Sequence, residues 1–447
     1  MTIEPGLSRA TPLPARRFEQ HRAWRCSGTY LRVTDILVVL TAASLPWSTT
    51  APTVFILLWL FLVLPLMDWK AFGRNLLHPA AALPLAFVAL ATIGTLWSDA
   101  AWAARLHGIN PVSKLLLIPF LLYFFQQSRR GLGVLVAFVA SCALLLLLSW
   151  IVLFDPALKI TATVSDGVPV KNYIDQSQEF AVCIFVLACP TLVAARQRRL
   201  PTLLGYLVLI LAFLANMLFI VSARTALIYM PVLLVMFAAR YLDRRTAHAL
   251  LAAVTIAGLL VWTTSPYLRQ RIGDIAIEYQ AYETNSLAST AQRLTYWRKS
   301  IRFIAGAPLL GHGTGSIRHL FEQDAIGQTG LRADVVNNPH NQTLNAAVQW
   351  GLLGVIVLYA MWLSHLLLFS GRDLASWIGL VVVVQNFVSS LLNSHLFDFH
   401  EGWMYVLGVG IAGGVSLRDR SDTSQPNLGT GSPQVQVSGS AHGRPHR

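Results

Sequence analysis

Charge is what this 447-residue chain has least of. Asp, Glu, Lys and Arg make up 12% of it, against roughly 25% in a soluble globular protein, so most of its length cannot be wrapped in a hydrated shell. Hydrophobic residues make up 55% and mean hydropathy is +0.55, which excludes a disordered chain as firmly as a cytosolic enzyme. Cysteine is nearly missing. Cys26, Cys142, Cys183 and Cys189 form no CxxC pair and the last three sit in apolar runs, so neither a disulfide framework nor a cysteine metal site is expected. Also missing are a DxD pair for a metal-bound nucleotide-sugar, a GxSxG elbow, an HExxH helix and a Walker A loop. Carboxylates are almost absent from the apolar runs, where coupled transporters keep their relays, and this disfavours a pump or coupled carrier.

Long apolar runs fill the chain instead. A membrane helix needs about 20 mostly apolar residues. That ruler marks twelve segments, near 34–50, 51–67, 79–97, 112–126, 131–154, 179–195, 201–222, 225–239, 246–264, 343–370, 374–393 and 403–417. Lys and Arg fall between them asymmetrically. With the N-terminus cytoplasmic, 21 lie on the inner side and five in short outer segments, as the positive-inside rule requires. The net charge of +13 is thus read as a topology signal, and no nucleic-acid partner is expected. The first apolar run starts near Ile36, behind a basic arm, without the pattern of a cleavable signal. The chain divides into a cytoplasmic basic arm (1–33), nine membrane helices (34–264), an outer loop subdomain (265–341), three more helices (342–417) and a Ser/Gly/Pro/Gln-rich disordered tail (418–447). Within the loop subdomain, 266–283 reads as an amphipathic helix with Leu268, Ile272, Ile275, Tyr279 and Tyr282 on one face. A second follows over 290–304, with Leu294, Trp297, Ile301 and Ile304 on one face and Ser289 or Thr290 as N-cap. Both are suited to lying on the membrane surface.

The polar residues suited to chemistry collect on the outer side. Ser222-Ala-Arg-Thr225 lies at a turn between two apolar runs. Its Arg224 either snorkels to lipid headgroups or faces a cavity as an anion site. Arg293 stands four residues before Trp297, on a shared helical face. Gly311-His-Gly-Thr-Gly-Ser316 is a tight turn or a loop whose amides meet a phosphate, with His312 inside it. Asn337-Asn-Pro-His-Asn-Gln342 enters a membrane helix. Asn338 or Asn341 can cap that helix, which holds His340 at its mouth, where a neutral imidazole could take a proton from a hydroxyl. Two nearby arginines would keep that imidazole neutral. Asp99, Asp398, Glu401, His395 and His400 are weaker candidates on the same face.

Ser222-Ala-Arg-Thr, Arg293-Leu-Thr-Tyr-Trp297, Gly311-His-Gly-Thr-Gly-Ser and Pro339-His-Asn341, in that order and on one side of the membrane, resemble the O-antigen ligase and polymerase superfamily of lipopolysaccharide biosynthesis. One departure is Ala223, which separates a Ser and Arg that are often adjacent in that family and leaves Ser222 outside the expected site. The resemblance implies an all-α polytopic membrane protein of about 12 transmembrane helices with a helical periplasmic subdomain, GT-C-like, in the inner membrane of a Gram-negative bacterium, with both termini cytoplasmic and the active site periplasmic. It implies transfer of O-antigen from undecaprenyl diphosphate to a sugar hydroxyl of lipid A–core oligosaccharide, inverting, without cofactor or metal. By resemblance His340 is the base, Arg224 and Arg293 bind the diphosphate, and Trp297, His312, Asn341 and Asp398 are secondary site residues. A polymerase acting on a growing glycan and a protein O-oligosaccharyltransferase are the related alternatives, and a transporter is the alternative of another class.

Overall fold

The computed structural model describes residues 28–221, 223–267, 269–270, 272–273 and 289–424. Ser222, most of the amphipathic segment expected over 266–283, the arm up to 27 and the tail from 425 lie outside the described residues. Among the described residues there are sixteen α-helices and no strand. In chain order they are α1 (Gly28–Ser44), α2 (Thr50–Val63), α3 (Trp69–Asn75), α4 (Pro79–Ile93), α5 (Trp102–Ser113), α6 (Leu117–Phe125), α7 (Gly131–Phe154), α8 (Tyr173–Arg196), α9 (Leu200–Phe219) and α10 (Ala226–Tyr241). There follow α11 (Arg244–Thr264), α12 (Ser289–Gly306), α13 (Ser316–Ala325), α14 (Gln342–Leu368), α15 (Leu374–Ser390) and α16 (Phe399–Ser424).

Each of the twelve apolar runs is helical, because hydrocarbon leaves backbone amides no partner outside the helix. Seven of the helices or joined helix pairs are long and apolar enough to cross a membrane, and eight if α2 and α3, bent by 116° at their junction, count as one span. The chain is therefore an integral membrane protein. The run expected at 112–126 is longer than its apolar stretch, since α5 and α6 together span Trp102–Phe125. The last helix runs on to Ser424, into the segment read as tail. The run expected at 343–370 is broken: Gly351 has φ 59° and ψ −151° inside α14. The reason is a wedge. The carbonyls of Pro308 and Leu309 accept from Leu352 N (2.8 Å) and Leu353 N (3.3 Å), and a Cβ at Gly351 would strike the Leu309 carbonyl.

Polar bonds between elements sort to two ends of the bundle. At the basic end Arg130 pairs with Asp35 at 3.5 Å, Arg418 donates to Ser128 O, Arg240 to Phe369 O and Arg420 to Leu368 O. The other end holds the candidate site. There α8 begins six residues before the run that marked it, capped by Asn172, and it buries Asp175, Gln176, Ser177, Gln178 and Glu179 in its first two turns. The expectation that the helices hold almost no carboxylates is therefore corrected. Asp175 pairs with His400 (2.8 Å) and Glu179 with Lys171 (3.3 Å), and Glu401 is buried at the start of α16. Burying Asp175 and Glu179 is tolerable because His400 and Lys171 pair with them.

The helix expected over 290–304 is present as α12, and Ile301 on its expected apolar face is exposed. Its Tyr296 joins Ile317 and Phe321 of α13 and Val348 of α14 in a small apolar cluster. α12 is thereby clamped over the mouth of α14.

Candidate active site

His340 is built by its neighbours. Asn341 caps α14, its side-chain oxygen accepting from Leu344 N at 3.0 Å while its amide donates to Leu391 O at 2.7 Å. Capping was the role legible in the sequence; Asn341 holds the backbone in place. His340 itself adopts φ 54°, a left-handed conformation that costs a non-glycine residue on the order of 1–3 kcal/mol and persists only where surroundings impose it. Here Asn338 imposes it. Its side-chain oxygen accepts from His340 N (2.9 Å) and from Ser394 Oγ (2.7 Å), and Pro339 between them stiffens the chain.

The ring is oriented by Asn393. His340 Nδ1 lies 2.8 Å from Asn393 Oδ1. An amide oxygen only accepts, so Nδ1 carries the proton and Nε2 presents a lone pair. Burial, with the Arg293 guanidinium nearby, holds the imidazole below its ordinary 6.5, against the opposing pull of the Asn393 hydrogen bond. The ring is thus neutral near pH 7, as a proton acceptor must be. Tyr296 covers it, with ring centroids 6.3 Å apart at 30°, and its hydroxyl donates to Asp334 Oδ2 at 3.1 Å.

Arg293 and Tyr296 are three residues apart on α12, so they share a face. Trp297 is the next residue round the helix, and its indole N–H reaches no acceptor among the described residues. The residue that meets His340 is therefore Tyr296. It lies inside the motif Arg293–Trp297, and its i+3 spacing from Arg293 was the available signal.

Arg224 reaches the same end by another route. Between α9 and α10 the chain turns, with Val221 N donating to Asn216 O (3.0 Å) and Ala223 N to Ser177 Oγ (2.9 Å). Ser177 adjoins Gln178 on α8. The Gln178 amide nitrogen donates to His395 Nδ1 at 3.2 Å, and His395 lies close enough to Arg293 and His340 for their charges to bear on it. The backbone beside Arg224 is thus tied through Ser177 to the start of α8, the segment whose Gln178 bonds His395.

The glycine loop is different. Gly311, Gly313 and Gly315 all have positive φ. Added Cβ atoms at the first two would lie 2.5 Å from the Gln349 carbonyl carbon and 2.6 Å from Ser98 Cα, and one at Gly315 would strike Ala104 O. The amides are already bonded, His312 N to Val348 O, Gly313 N to Gln349 O, Thr314 N to Gly94 O and Gly315 N to Gln349 Oε1, all at 2.8–3.0 Å. His312 Nε2 donates to Phe303 O at 2.8 Å. The loop is a packing joint between α4, α5 and α14, and the phosphate-cradle alternative is corrected.

Asp398 sits beside Lys114, which donates to Phe397 O (3.1 Å) and to Asp398 O. Burial raises its carboxyl to about 6, Lys114 pulling it down and Asp175 pushing it up. Its charged partners are thus Lys114 and Asp175. Among the described residues no group of three or more His, Cys, Asp and Glu is arranged to hold a metal ion. An apolar crevice runs between α1, α7, α8, α15 and α16, lined among others by Leu45, Phe138, Val182, Val382, Met404 and Ile411.

A polytopic helical membrane protein with a strained, neutral histidine at one end of its bundle, within the field of Arg293, is the class that fold and site define. Residues 207–359, about a third of the chain, match the family model described as O-antigen ligase. The match spans Arg224, Arg293, the glycine loop and His340. The chain is also 25% identical over 270 residues to an uncharacterized protein of Haemophilus influenzae, the alignment covering 58% of this chain and 65% of that one.

Proposed function

We propose that the protein transfers a glycan from a polyprenyl diphosphate, undecaprenyl diphosphate-linked O-antigen in the ligase reading, to a sugar hydroxyl of lipid A–core at the outer face of the bacterial inner membrane. The observation that carries this reading is the His340 ring: strained backbone, proton fixed on Nδ1, lone pair on Nε2, neutral beside Arg293. In the reaction the acceptor hydroxyl gives its proton to His340 Nε2 as its oxygen bonds to the anomeric carbon. The bond from that carbon to the diphosphate oxygen breaks on the opposite face, so the configuration inverts. The leaving group carries away the electron pair as a diphosphate anion, which Arg224 and Arg293 stabilise; guanidinium forks suit that charge. A general base of this kind contributes on the order of 10²–10⁴-fold. The apolar crevice supports a hydrocarbon-tailed substrate, since it offers such a chain the contacts that water does not.

The test is reconstitution. Purified protein, lipid-linked glycan and rough lipopolysaccharide should yield product in the presence of EDTA, and R224A, R293A and H340A should each lose at least about 10²-fold in transfer while remaining folded in detergent. A strict requirement for a divalent metal would reject the mechanism. Acceptor choice separates ligase from polymerase: a ligase null strain makes rough lipopolysaccharide and keeps long lipid-linked glycan, whereas a polymerase null strain carries single repeat units on its core.

A further inference from the structure

His395 lies in the loop between α15 and α16, the loop that supplies Asn393 to His340. It is fully buried. Its hydrogen-bond partner fixes its proton. The Gln385 amide nitrogen donates to Gln178 Oε1, which leaves the Gln178 amide nitrogen to donate to His395 Nδ1 at 3.2 Å. Nδ1 is therefore the acceptor and Nε2 carries the hydrogen. Among the described residues that Nε2–H meets no acceptor, although a buried donor left unpaired bears the whole cost of its desolvation. Burial pushes the imidazole down to about 3; Asp175 opposes, and Arg293 and His340 add to the depression. The ring is neutral wherever the enzyme works. Two histidines of one site are thus held in opposite tautomers, His340 offering a lone pair at Nε2 and His395 offering a hydrogen at Nε2.

We propose that His395 is a substrate-binding donor, its Nε2–H bonding a phosphate oxygen of the polyprenyl diphosphate. This deepens the reading of the site as one that uses a lipid diphosphate and rests on it. An N–H can be satisfied only by an acceptor, and within the field of the Arg293 guanidinium an anionic oxygen is the strongest acceptor available. A neutral donor also completes the cradle without a third cation that would have to be desolvated when the site is empty.

The experiment uses the full chain in detergent and undecaprenyl diphosphate without glycan as probe. H395F removes the donor and keeps the volume; its affinity for the probe should fall by about 10–100-fold, the worth of a hydrogen bond to a charged group. H395Q, whose amide nitrogen falls near the position of Nε2, should recover most of that loss. In ¹⁵N-histidine spectra one ring should stay in the Nε2–H tautomer across pH 5–8 and its Nε2–H signal should move on adding the probe; a structural histidine would not move. Unchanged probe affinity in folded H395F, or a defect seen only with glycan-bearing lipid, overturns the proposal while leaving the proposed function standing. Failure of the wild-type protein to bind undecaprenyl diphosphate overturns both.

Discussion

Two short loops at one end of this protein look alike in sequence and differ in what they leave unused. Each carries a histidine among residues of unusual backbone conformation: Gly311–Ser316 around His312, and Asn337–Gln342 around His340. In the first, glycines supply the positive φ, the amides bond to α4 and α14, and His312 Nε2 is tied to Phe303 O. In the second, histidine itself takes the strained position, neighbours satisfy its backbone and Nδ1, and Nε2 keeps a lone pair. A loop whose polar groups are all bonded holds a fold together. A loop that strains its own backbone to present one open nitrogen has been shaped for a ligand.

The contrast can be broken most directly by exchange of effect. H340A and H312A should each lose about 1 kcal/mol of stability, the worth of one hydrogen bond, but H340A should lower transfer per folded molecule by about 10²–10⁴-fold whereas H312A should keep it. Equal losses of activity from the two would erase the distinction. G313A should act on the fold in the same sense as H312A. Its Cβ would meet Ser98 at 2.6 Å at φ 83°, so the melting temperature should drop while the activity of the surviving protein holds. The smallest effect sharpens the His340 side. The imidazole acts when neutral, so activity falls as pH drops through a value below 6.5, where burial and Arg293 hold it. The Asn393 bond favours the protonated form, so N393A should move that acid limb to still lower pH, read from kcat/KM against pH. A shift to higher pH would contradict the orientation of the ring.

The sequence made part of this legible. Apolar length marks helices reliably, since the bilayer leaves the backbone no alternative, and the cap at Asn341 and helix α12 follow from spacing and local chemistry. The polar opening of α8 could not be read that way. Asp175 and Glu179 are tolerable in a buried helix only because His400 arrives from far along the chain and Lys171 from the loop before the cap, and no periodicity records such partners. Tyr296 was passed over for Trp297 because an i+4 partner of Arg293 and an i+3 one are equally good on a helix, and only the position of His340 chooses between them. The glycine loop kept two readings open for a related reason: its pattern states which backbone angles are available, and tertiary bonds, which make it a packing turn, decide what its amides face.

The break at Gly351 bears on how far this molecule can be taken apart. Where α14 opens, the segment leading out of α12 lends its carbonyls at Pro308 and Leu309 to complete the helical ladder, so the segment 289–341 and the membrane helix share one set of backbone bonds. The outer unit is therefore not a cassette. Chimeras between relatives will keep their architecture only if α12, the glycine loop and the whole of α14 travel together, and a cut at the apparent boundary near residue 341 would divide a single element of structure in two.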